Sequence, residues 1–143
     1  MLRFSKKVEY ALIVMADMSV YSSPDTLYTA KSLADQYQIP QEILGKVLQT
    51  LVRHNLLVSV QGVKGGYALA RRPEDINLKE IVEAIDGPVA LMNCGDNDHS
   101  QCGQFTNCNI KSPLGIIQTQ LSMFFHSISL NDLRRNLNDI SIQ

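Results

Sequence analysis

The 143-residue sequence predicts a mainly α-helical fold that contains one small β-hairpin. In most of the chain, apolar residues recur every three or four positions, which is typical of amphipathic helices. Only residues 57–61 and 67–70 form short apolar or β-branched runs, and they flank a Gly-rich tip at 62–66, which is the pattern of a hairpin. Residue types that cap or end helices stand at the boundaries of the helical segments.

The N-terminal half contains three predicted helices. The first covers residues 5–22 with Ser5 as its N-cap, and the second covers residues 29–37. Pro40 suits the first position of the third helix, which needs no N–H there, and this helix extends to about His54. Helix, helix, turn, helix and hairpin follow one another in a winged helix-turn-helix. In that fold the third helix enters the major groove of DNA, while the hairpin, or wing, reaches the backbone or minor groove.

The C-terminal half is also predicted to be helical. Asn77 and Glu80 form a capping box at the start of one helix, which Gly87 ends. A long helix is predicted at 113–127, and a last helix begins near Ser129. The long helix has apolar residues on more than one face, namely Leu114, Ile116, Ile117, Leu121, Met123, Phe124 and Phe125. Because a chain this short has little else to cover them, we expect a C-terminal dimerisation helix in a homodimer.

Charge divides the chain near residue 72. Residues 1–72 contain nine Lys or Arg and five Asp or Glu, whereas residues 73–143 contain four and nine, so the net charges are +4 and −5. Only the basic half suits a polyanion. We therefore predict a winged helix-turn-helix DNA-binding domain at 1–72 and a helical dimerisation region at 73–143, which includes a cysteine loop at 92–111.

Targeting signals and catalytic motifs are not apparent in the sequence. The N-terminal residues MLRFSKKVEY lack the apolar region of a signal peptide, and no run approaches the roughly 18 apolar residues of a membrane span. A cytoplasmic location without membrane association is therefore expected. In that compartment clustered cysteines more often bind metal or undergo redox chemistry than form structural disulfides. No catalytic constellation is recognisable, so an enzyme is not expected.

The residues expected to contact DNA are polar or charged and fall in three places. They are Arg3, Lys6 and Lys7 around the start of the first helix, Gln41, Glu42, Lys46, Gln49 and Arg53 on the third helix, and Gln61 and Lys64 in the hairpin. Gln and Lys side chains can bond adenine and guanine edges, whereas the flanking cations suit phosphates. The Glu42 carboxylate is repelled by phosphate, so it either reads a cytosine amine or excludes wrong sequences.

All three cysteines lie in one Gly/Asn/Asp-rich stretch, with the spacing Cys-x7-Cys-x5-Cys at Cys94, Cys102 and Cys108. A structural zinc site usually has tighter pairs and four ligands, and His99 is the only candidate for a fourth ligand within the loop. A disulfide switch would leave one cysteine over, and nothing marks one of them as a nucleophile with a partner base. Three thiolates in such a loop also suit an iron–sulfur cluster, in which a non-cysteine group can be the fourth ligand.

Four segments of the chain are distinctive when taken together, namely MLRFSKKVEYAL, IPQEILGKVLQTLVRHNLLVSVQGVKGGYALAR, INLKEIVEAIDGP and the three-cysteine loop. They resemble the Rrf-type winged-helix transcriptional regulators, which include IscR, the SUF-system regulators and NsrR. The resemblance implies a homodimeric transcription factor with one iron–sulfur cluster per subunit. Its affinity for promoter DNA would depend on the cluster, and so on iron, redox or nitric-oxide status. Its targets would include genes for cluster assembly or related stress responses.

The resemblance also implies a ligand set, in which Cys94, Cys102 and Cys108 bind the cluster. IscR-like members have five-residue gaps and a histidine three residues after the last cysteine. Here the first gap is seven residues, and the histidine position is occupied by Lys111. A protonated lysine cannot serve as a ligand, so the fourth ligand lies elsewhere. The resemblance does not fix the cluster type, and we expect [2Fe–2S] with [4Fe–4S] as the alternative.

In NsrR-like members, the fourth ligand is an acidic residue of the first helix that the partner subunit contributes. Glu9 stands at the matching position. His99, water or an external thiol are the alternatives to Glu9, and a salt bridge with Lys6 or Lys7 is the alternative role of Glu9 itself. Two other functions remain open. One is a cluster-free regulator of the same fold that responds to thiol oxidation, and the other is a metalloprotein that does not bind DNA.

Overall fold

A computed structural model describes residues 3–20, 26–91 and 109–134. The three cysteines and His99 lie outside these residues. The described elements are α1 (Lys6–Val20), α2 (Ala30–Tyr37), α3 (Gln41–Arg53), β1 (Leu57–Val60), β2 (Gly66–Leu69), α4 (Leu78–Asp86) and α5 (Lys111–Ser127). A single 3-10 turn, Pro73–Asp75, precedes α4, and residues 130–134 are helical. The predicted mainly α fold with a small hairpin is confirmed.

Side-chain caps set the starts of the first helices where the sequence predicts them. The Ser5 hydroxyl accepts a hydrogen bond from the Val8 N–H at 3.3 Å, and the Thr29 hydroxyl accepts one from the Ser32 N–H at 3.1 Å. Each bond satisfies an N–H group that has no partner inside its helix. Pro40 lies at the N-cap of α3, one residue before the predicted position.

Two capping boxes begin the C-terminal helical segments, as predicted. Asn77 and Glu80 exchange bonds of 3.0 and 3.2 Å at the start of α4. Ser129 and Asp132 exchange two bonds of 3.0 Å ahead of the helical residues 130–134. Helix α5 begins at Lys111, two residues before the predicted start. None of the helices in the described parts of the chain is long and apolar enough to cross a membrane.

One core joins the first three helices to the C-terminal half. Its buried apolar side chains include Met15, Leu33, Leu44, Leu48, Leu51, Ile76, Ile81 and Leu130. Residues 128–130 run beside the segment that precedes α4, where the Leu78 N–H donates to the Ile128 carbonyl and the Leu130 N–H donates to the Ile76 carbonyl, each at 2.8 Å. The end of α5 is therefore tied to the domain that contains α3. The predicted division of function at residue 72 stays a prediction, since the core crosses it.

The wing, defined here as residues 57–69, is an antiparallel hairpin that is fixed to the body of the protein. Its register pairs Leu57 with Leu69 and Ser59 with Tyr67. At the tip, Gly62 has φ +119°, which favours glycine. The Tyr67 N–H donates to the Tyr28 carbonyl at 2.7 Å, and the Tyr28 N–H donates to the Tyr67 carbonyl at 2.9 Å. This bridge ties the wing to the segment that precedes α2.

Candidate nucleic-acid interface and cluster-ligand site

Helix α3 buries an apolar stripe on one side and exposes its polar residues on the other, with Ile43 as an exposed apolar residue. Its apolar stripe, Leu44, Val47, Leu48 and Leu51, is buried in the core. The polar residues predicted to contact DNA therefore lie on the opposite face, and all of them are exposed: Gln41, Glu42, Lys46, Gln49 and Arg53. An amphipathic helix with its apolar side satisfied in this way can offer its polar side to a duplex.

The charged side chains on this face form one weak ion pair. The single acidic side chain, Glu42, lies 3.9 Å from the Lys46 ammonium nitrogen. Both side chains are well exposed, so this ion pair stabilises the helix by only about 0.3–0.5 kcal/mol. The Arg53 guanidinium donates to the Thr50 hydroxyl at 3.1 Å. Within the described residues, no carboxylate lies in ion-pairing distance of Arg53.

The structure brings three of the predicted DNA-contacting residues into one cleft. Gln49 and Arg53 of α3 face Gln61 of the wing across a cleft of about 370 Å³, which Val52, Ser59 and Tyr67 also line. The predicted contacts Arg3, Lys6, Lys7 and Lys64 are exposed but do not line this cleft. Sequence reasoning missed Ser59 and Tyr67. Strand alternation could have found Ser59, because it lies two residues from Gln61 and so on the same side of the hairpin.

At the start of α1, the predicted alternative role of Glu9 is present. The Lys6 ammonium donates to the Glu9 carboxylate at 2.9 Å. This hydrogen bond, together with the negative charge of Glu9, raises the pKa of Lys6 above its usual value of 10.5. The pair is exposed to solvent, so it is weak and a second cation or metal centre can compete for the carboxylate.

Glu9 also lines a second cleft, of about 570 Å³, between α1, the end of α4 and α5. Its walls include Gly87, Val89 and Ala90, which precede the cysteine-containing stretch, and Leu121 and Phe125 of α5, which follows it. The Glu9 side chain is 45% exposed, so its carboxylate oxygens can reach a group held at this cleft.

Other side chains fix the walls of the Glu9 cleft. The Ser5 hydroxyl donates to the Asp86 carboxylate at 2.9 Å and joins the start of α1 to the end of α4. The Gln118 amide bonds to the backbone at both Val89 and Leu91, accepting from the Leu91 N–H at 2.6 Å. The chain therefore enters the cysteine-containing stretch from a fixed point beside Glu9.

A metal centre cannot be built from the described residues alone. Among them, no group of three or more His, Cys, Asp or Glu side chains is close enough to hold a metal ion. Glu9 is the predicted ligand that the structure describes, whereas the predicted ligands Cys94, Cys102 and Cys108 lie outside it. The fit to a cluster therefore rests on one oxygen donor of suitable chemistry, placed beside the residues that lead into the cysteine-containing stretch.

Helix α5 has one face against its own chain and another in solvent. Phe125 packs against Phe4, with ring centroids 5.9 Å apart. The apolar residues on the other face are about half or more exposed, with 60% for Ile116, 49% for Ile117, 66% for Met123 and 59% for Phe124. Their spacing of seven residues, 116 to 123 and 117 to 124, forms one continuous stripe along the helix.

Comparisons with known proteins agree with this architecture. The model of the Rrf2 family, described as an iron-dependent transcriptional regulator, matches residues 4–136. The chain is 30% identical over 138 residues to the HTH-type transcriptional regulator NsrR of Oceanobacillus iheyensis, which covers 94% of this chain and 91% of that protein.

Two solved structures share the fold. CymR, the global cysteine regulator of B. subtilis, aligns with a TM-score of 0.72 at 22% identity, over 95% of this chain and 98% of that one. IscR of T. potens aligns with a TM-score of 0.70 at 24% identity, over 95% and 88%. At these identities both likenesses show the fold.

Proposed function

The chain belongs to the Rrf2 family of transcriptional regulators, and we propose that it binds promoter DNA as a homodimer in a manner that depends on an iron–sulfur cluster. The family description, iron-dependent transcriptional regulator, supports a function in gene regulation rather than catalysis. The observation that supports the cluster most directly is the position of Glu9. Its carboxylate lies at the cleft where the chain enters the three-cysteine stretch.

In this proposal Cys94, Cys102 and Cys108 would provide three thiolates, and Glu9 would provide the fourth ligand. The resemblance implies Glu9 of the partner subunit, whereas the cleft places Glu9 beside the point where its own chain enters the cysteine-containing stretch. When bound, an iron–sulfur group would supply sensitivity to oxidation, nitric oxide and iron supply. We propose [2Fe–2S], one per subunit, with [4Fe–4S] as the alternative. His99, water or an external thiol are the competing fourth ligands.

The chain's own residues offer a route from Glu9 to DNA. A Glu9 carboxylate engaged at the cleft is no longer available to Lys6, so the Lys6 ammonium becomes free to contact phosphate. Helix α1 also packs directly against α3 through the buried core, so a shift of α1 changes the position of the recognition helix. Such a shift alters DNA affinity only if the two states bind DNA differently.

The DNA-binding domain would use α3 in the major groove and the wing beside it. Gln41, Lys46 and Gln49 would contact base edges. Glu42 would discriminate among sequences, while Arg3, Lys6, Lys7 and Lys64 would contact phosphates. Residues 1–72 would supply this surface and residues 73–143 the dimer, with the ligand loop at 92–111.

A second copy of this chain is the proposed partner of the exposed α5 stripe. The stripe is apolar, and the opposite face of α5 packs against its own chain. A helix that is apolar on two faces is expected to pack on both sides. Met123→Glu would place a carboxylate in the proposed interface and is expected to yield a monomer by analytical ultracentrifugation. Gln36→Glu adds the same single negative charge at an exposed position of α2 and should leave the dimer intact. A Met123→Glu protein that stays dimeric would contradict this arrangement.

Anaerobic purification tests the cluster. We expect a brown protein with visible absorbance, about one cluster's iron and sulfide per chain, and a native mass that gives both nuclearity and subunit number. Glu9→Ala should shift the absorption spectrum and accelerate iron loss, whereas His99→Ala should not. Lys7→Ala is the matched control on α1. If His99→Ala instead has the larger effect on the spectrum and on iron loss, the fourth ligand is His99 in the loop.

The second candidate is a cluster-free regulator that uses thiol oxidation as its signal. The chain shares its fold with CymR, which is named a global cysteine regulator, and this likeness supports the second candidate. A colourless protein that binds promoter DNA and loses affinity on mild thiol oxidation would establish this candidate instead. Absent or salt-insensitive DNA binding would instead favour the metalloprotein, because phosphate contacts make affinity fall steeply with salt.

A further inference from the structure

We propose that the cleft between α3 and the wing is a preformed binding site for one backbone phosphate of DNA. Arg53 would supply the positive charge, and Ser59, Gln61 and Tyr67 would supply neutral hydrogen-bond donors. The proposal rests on the proposed DNA-binding function and assigns a role to residues that the sequence did not single out. It also separates Arg53 from the residues of α3 that read bases.

The geometry places donors from two elements around one hollow. Gln49 and Arg53 are four residues apart on α3 and therefore lie on the same side of the helix. Ser59 and Tyr67 are directly opposite each other in the hairpin register, so their side chains stand on one face of the wing. All four line the cleft of about 370 Å³, together with Gln61 and Val52.

The chemistry of the lining suits an anion. It contains one cation, two amides and two hydroxyls, and none of its residues is an Asp or Glu. The side chains of Ser59, Gln61 and Tyr67 make no hydrogen bond to any other part of the chain that the structure describes, so their donors are available to a ligand. A guanidinium can donate two parallel N–H bonds to a phosphate, which a lysine cannot do.

The site needs little reorganisation on binding. One guanidinium nitrogen of Arg53 is already held by the Thr50 hydroxyl, which in turn donates to the Lys46 carbonyl at 2.9 Å. The Tyr67 backbone is bonded to Tyr28 in both directions, and its ring packs against the core. Since neither side chain has to be ordered at the moment of contact, less entropy is lost on binding.

The position of the cleft favours a phosphate within DNA over free phosphate. The cleft is open, and its two walls are the elements that contact a duplex in a winged helix-turn-helix. A duplex with α3 in its major groove would pass its backbone between that helix and the wing. A free anion would gain only the contacts of one exposed Arg and a few neutral donors.

The test uses the full-length protein, a duplex that it selects from a random pool, and a scrambled duplex of the same length. Arg53→Ala should weaken binding about tenfold or more to both duplexes and reduce the slope of log affinity against log salt by about 1. Tyr67→Phe and Ser59→Ala keep the fold and should each weaken binding about fivefold. Arg72→Ala, which removes an exposed arginine paired with Asp75, should have a smaller effect than Arg53→Ala.

A neutral methylphosphonate placed at one backbone position at a time locates the phosphate. At one position, the substitution should weaken DNA binding by the wild-type protein about tenfold and leave DNA binding by the Arg53→Ala variant unchanged. Sodium phosphate should compete with DNA no better than sodium chloride of equal ionic strength. Stronger competition that depends on Arg53 would make free phosphate the ligand and overturn the proposal.

Two outcomes separate this proposal from the proposed function. Absence of DNA binding by the wild-type protein would refute both. Normal DNA binding with no effect of Arg53→Ala, Tyr67→Phe or any methylphosphonate would refute the phosphate site alone. A loss of affinity confined to the selected duplex would show that Arg53 reads a base, which also contradicts the proposal.

Discussion

Helices α3 and α5 each present an exposed face, but the two faces differ in chemistry. On α3 the apolar residues except Ile43 pack inside the chain, and the exposed side consists mainly of Gln, Glu, Lys and Arg. On α5 only part of the apolar surface is satisfied, and Ile116, Ile117, Met123 and Phe124 remain exposed. A helix of the first kind suits a polyanion, whereas a helix of the second kind suits another apolar surface.

This difference suits a chain that binds both DNA, through α3, and a second copy of itself, through α5. The core that buries the α3 stripe also includes Leu130, which follows α5. In the dimer proposed above, a subunit joined through α5 to a second copy would therefore hold its own α3 at a set distance from the α3 of its partner. Two half-sites in promoter DNA require such a set spacing.

The largest expected contrast comes from shortening one apolar side chain on each helix. Leu48→Ala removes a fully buried side chain from α3 and should lower the free energy of unfolding by about 2–5 kcal/mol at every protein concentration. Phe124→Ala removes a mostly exposed side chain from α5, so its effect should appear only where the dimer forms. Urea unfolding at low and high protein concentration measures both.

For Phe124→Ala, a large loss in the free energy of unfolding at both low and high protein concentration would show that the side chain stabilises the single subunit. For Leu48→Ala, a loss below about 1 kcal/mol would contradict the buried packing of α3. Either result would remove the contrast between the two helices.

The sequence predicts the α3 face well because the cause is local. Helical spacing alone places Leu44, Val47, Leu48 and Leu51 on one side, and the caps Ser5, Thr29 and Asn77 mark the starts of helices. The polar face is then predicted as the residues of α3 that lie outside that stripe. Winged helix-turn-helix architecture was predictable for the same reason, since element order and the Gly-rich tip are features of short segments.

Long-range contacts were beyond the sequence. Nothing local indicates that Tyr67 and Arg53 line one cleft, because the hairpin must first fold back along α3. The cleft beside Glu9 depends on the Ser5–Asp86 hydrogen bond, which joins residues 81 positions apart. The seven-residue gap between the first two cysteines differs from the spacing that the resemblance to IscR-like members implies, and it lies outside the described residues.

A medium effect is expected from the two glycines inside these helices. An added Cβ at Gly45 or at Gly115 would meet nothing within 4 Å, so the fold itself requires neither glycine. Gly45→Ala and Gly115→Ala should each raise the free energy of unfolding by about 0.5–1 kcal/mol through helix propensity. Gly45 lies on the same side of α3 as Gln41 and Gln49, where a Cβ would stand between the helix and DNA.

Gly45→Ala should therefore stabilise the protein while weakening binding to the selected duplex, and Gly115→Ala should stabilise it without that cost. Thermal unfolding and fluorescence anisotropy on the same samples separate the two properties. Equal DNA affinity for both variants would indicate that α3 does not approach the duplex closely at Gly45.

The smallest effect on stability is expected at Glu42, and it sharpens what the α3 face discriminates against. Glu42→Gln removes a carboxylate 3.9 Å from Lys46, a pair so exposed that the free energy of unfolding should change by less than about 0.5 kcal/mol. Its effect on DNA should be larger, because the carboxylate repels every phosphate near it while it can accept a bond only from a suitably placed cytosine amine. Anisotropy titrations should show tighter binding to the scrambled duplex and a smaller gain, or a loss, on the selected one. Glu74→Gln makes the same charge change on the turn before α4 and should leave the ratio of the two affinities unchanged. An equal gain on both duplexes from Glu42→Gln would mean that the carboxylate only reduces overall affinity, and that sequence selection lies with the Gln and Lys side chains beside it.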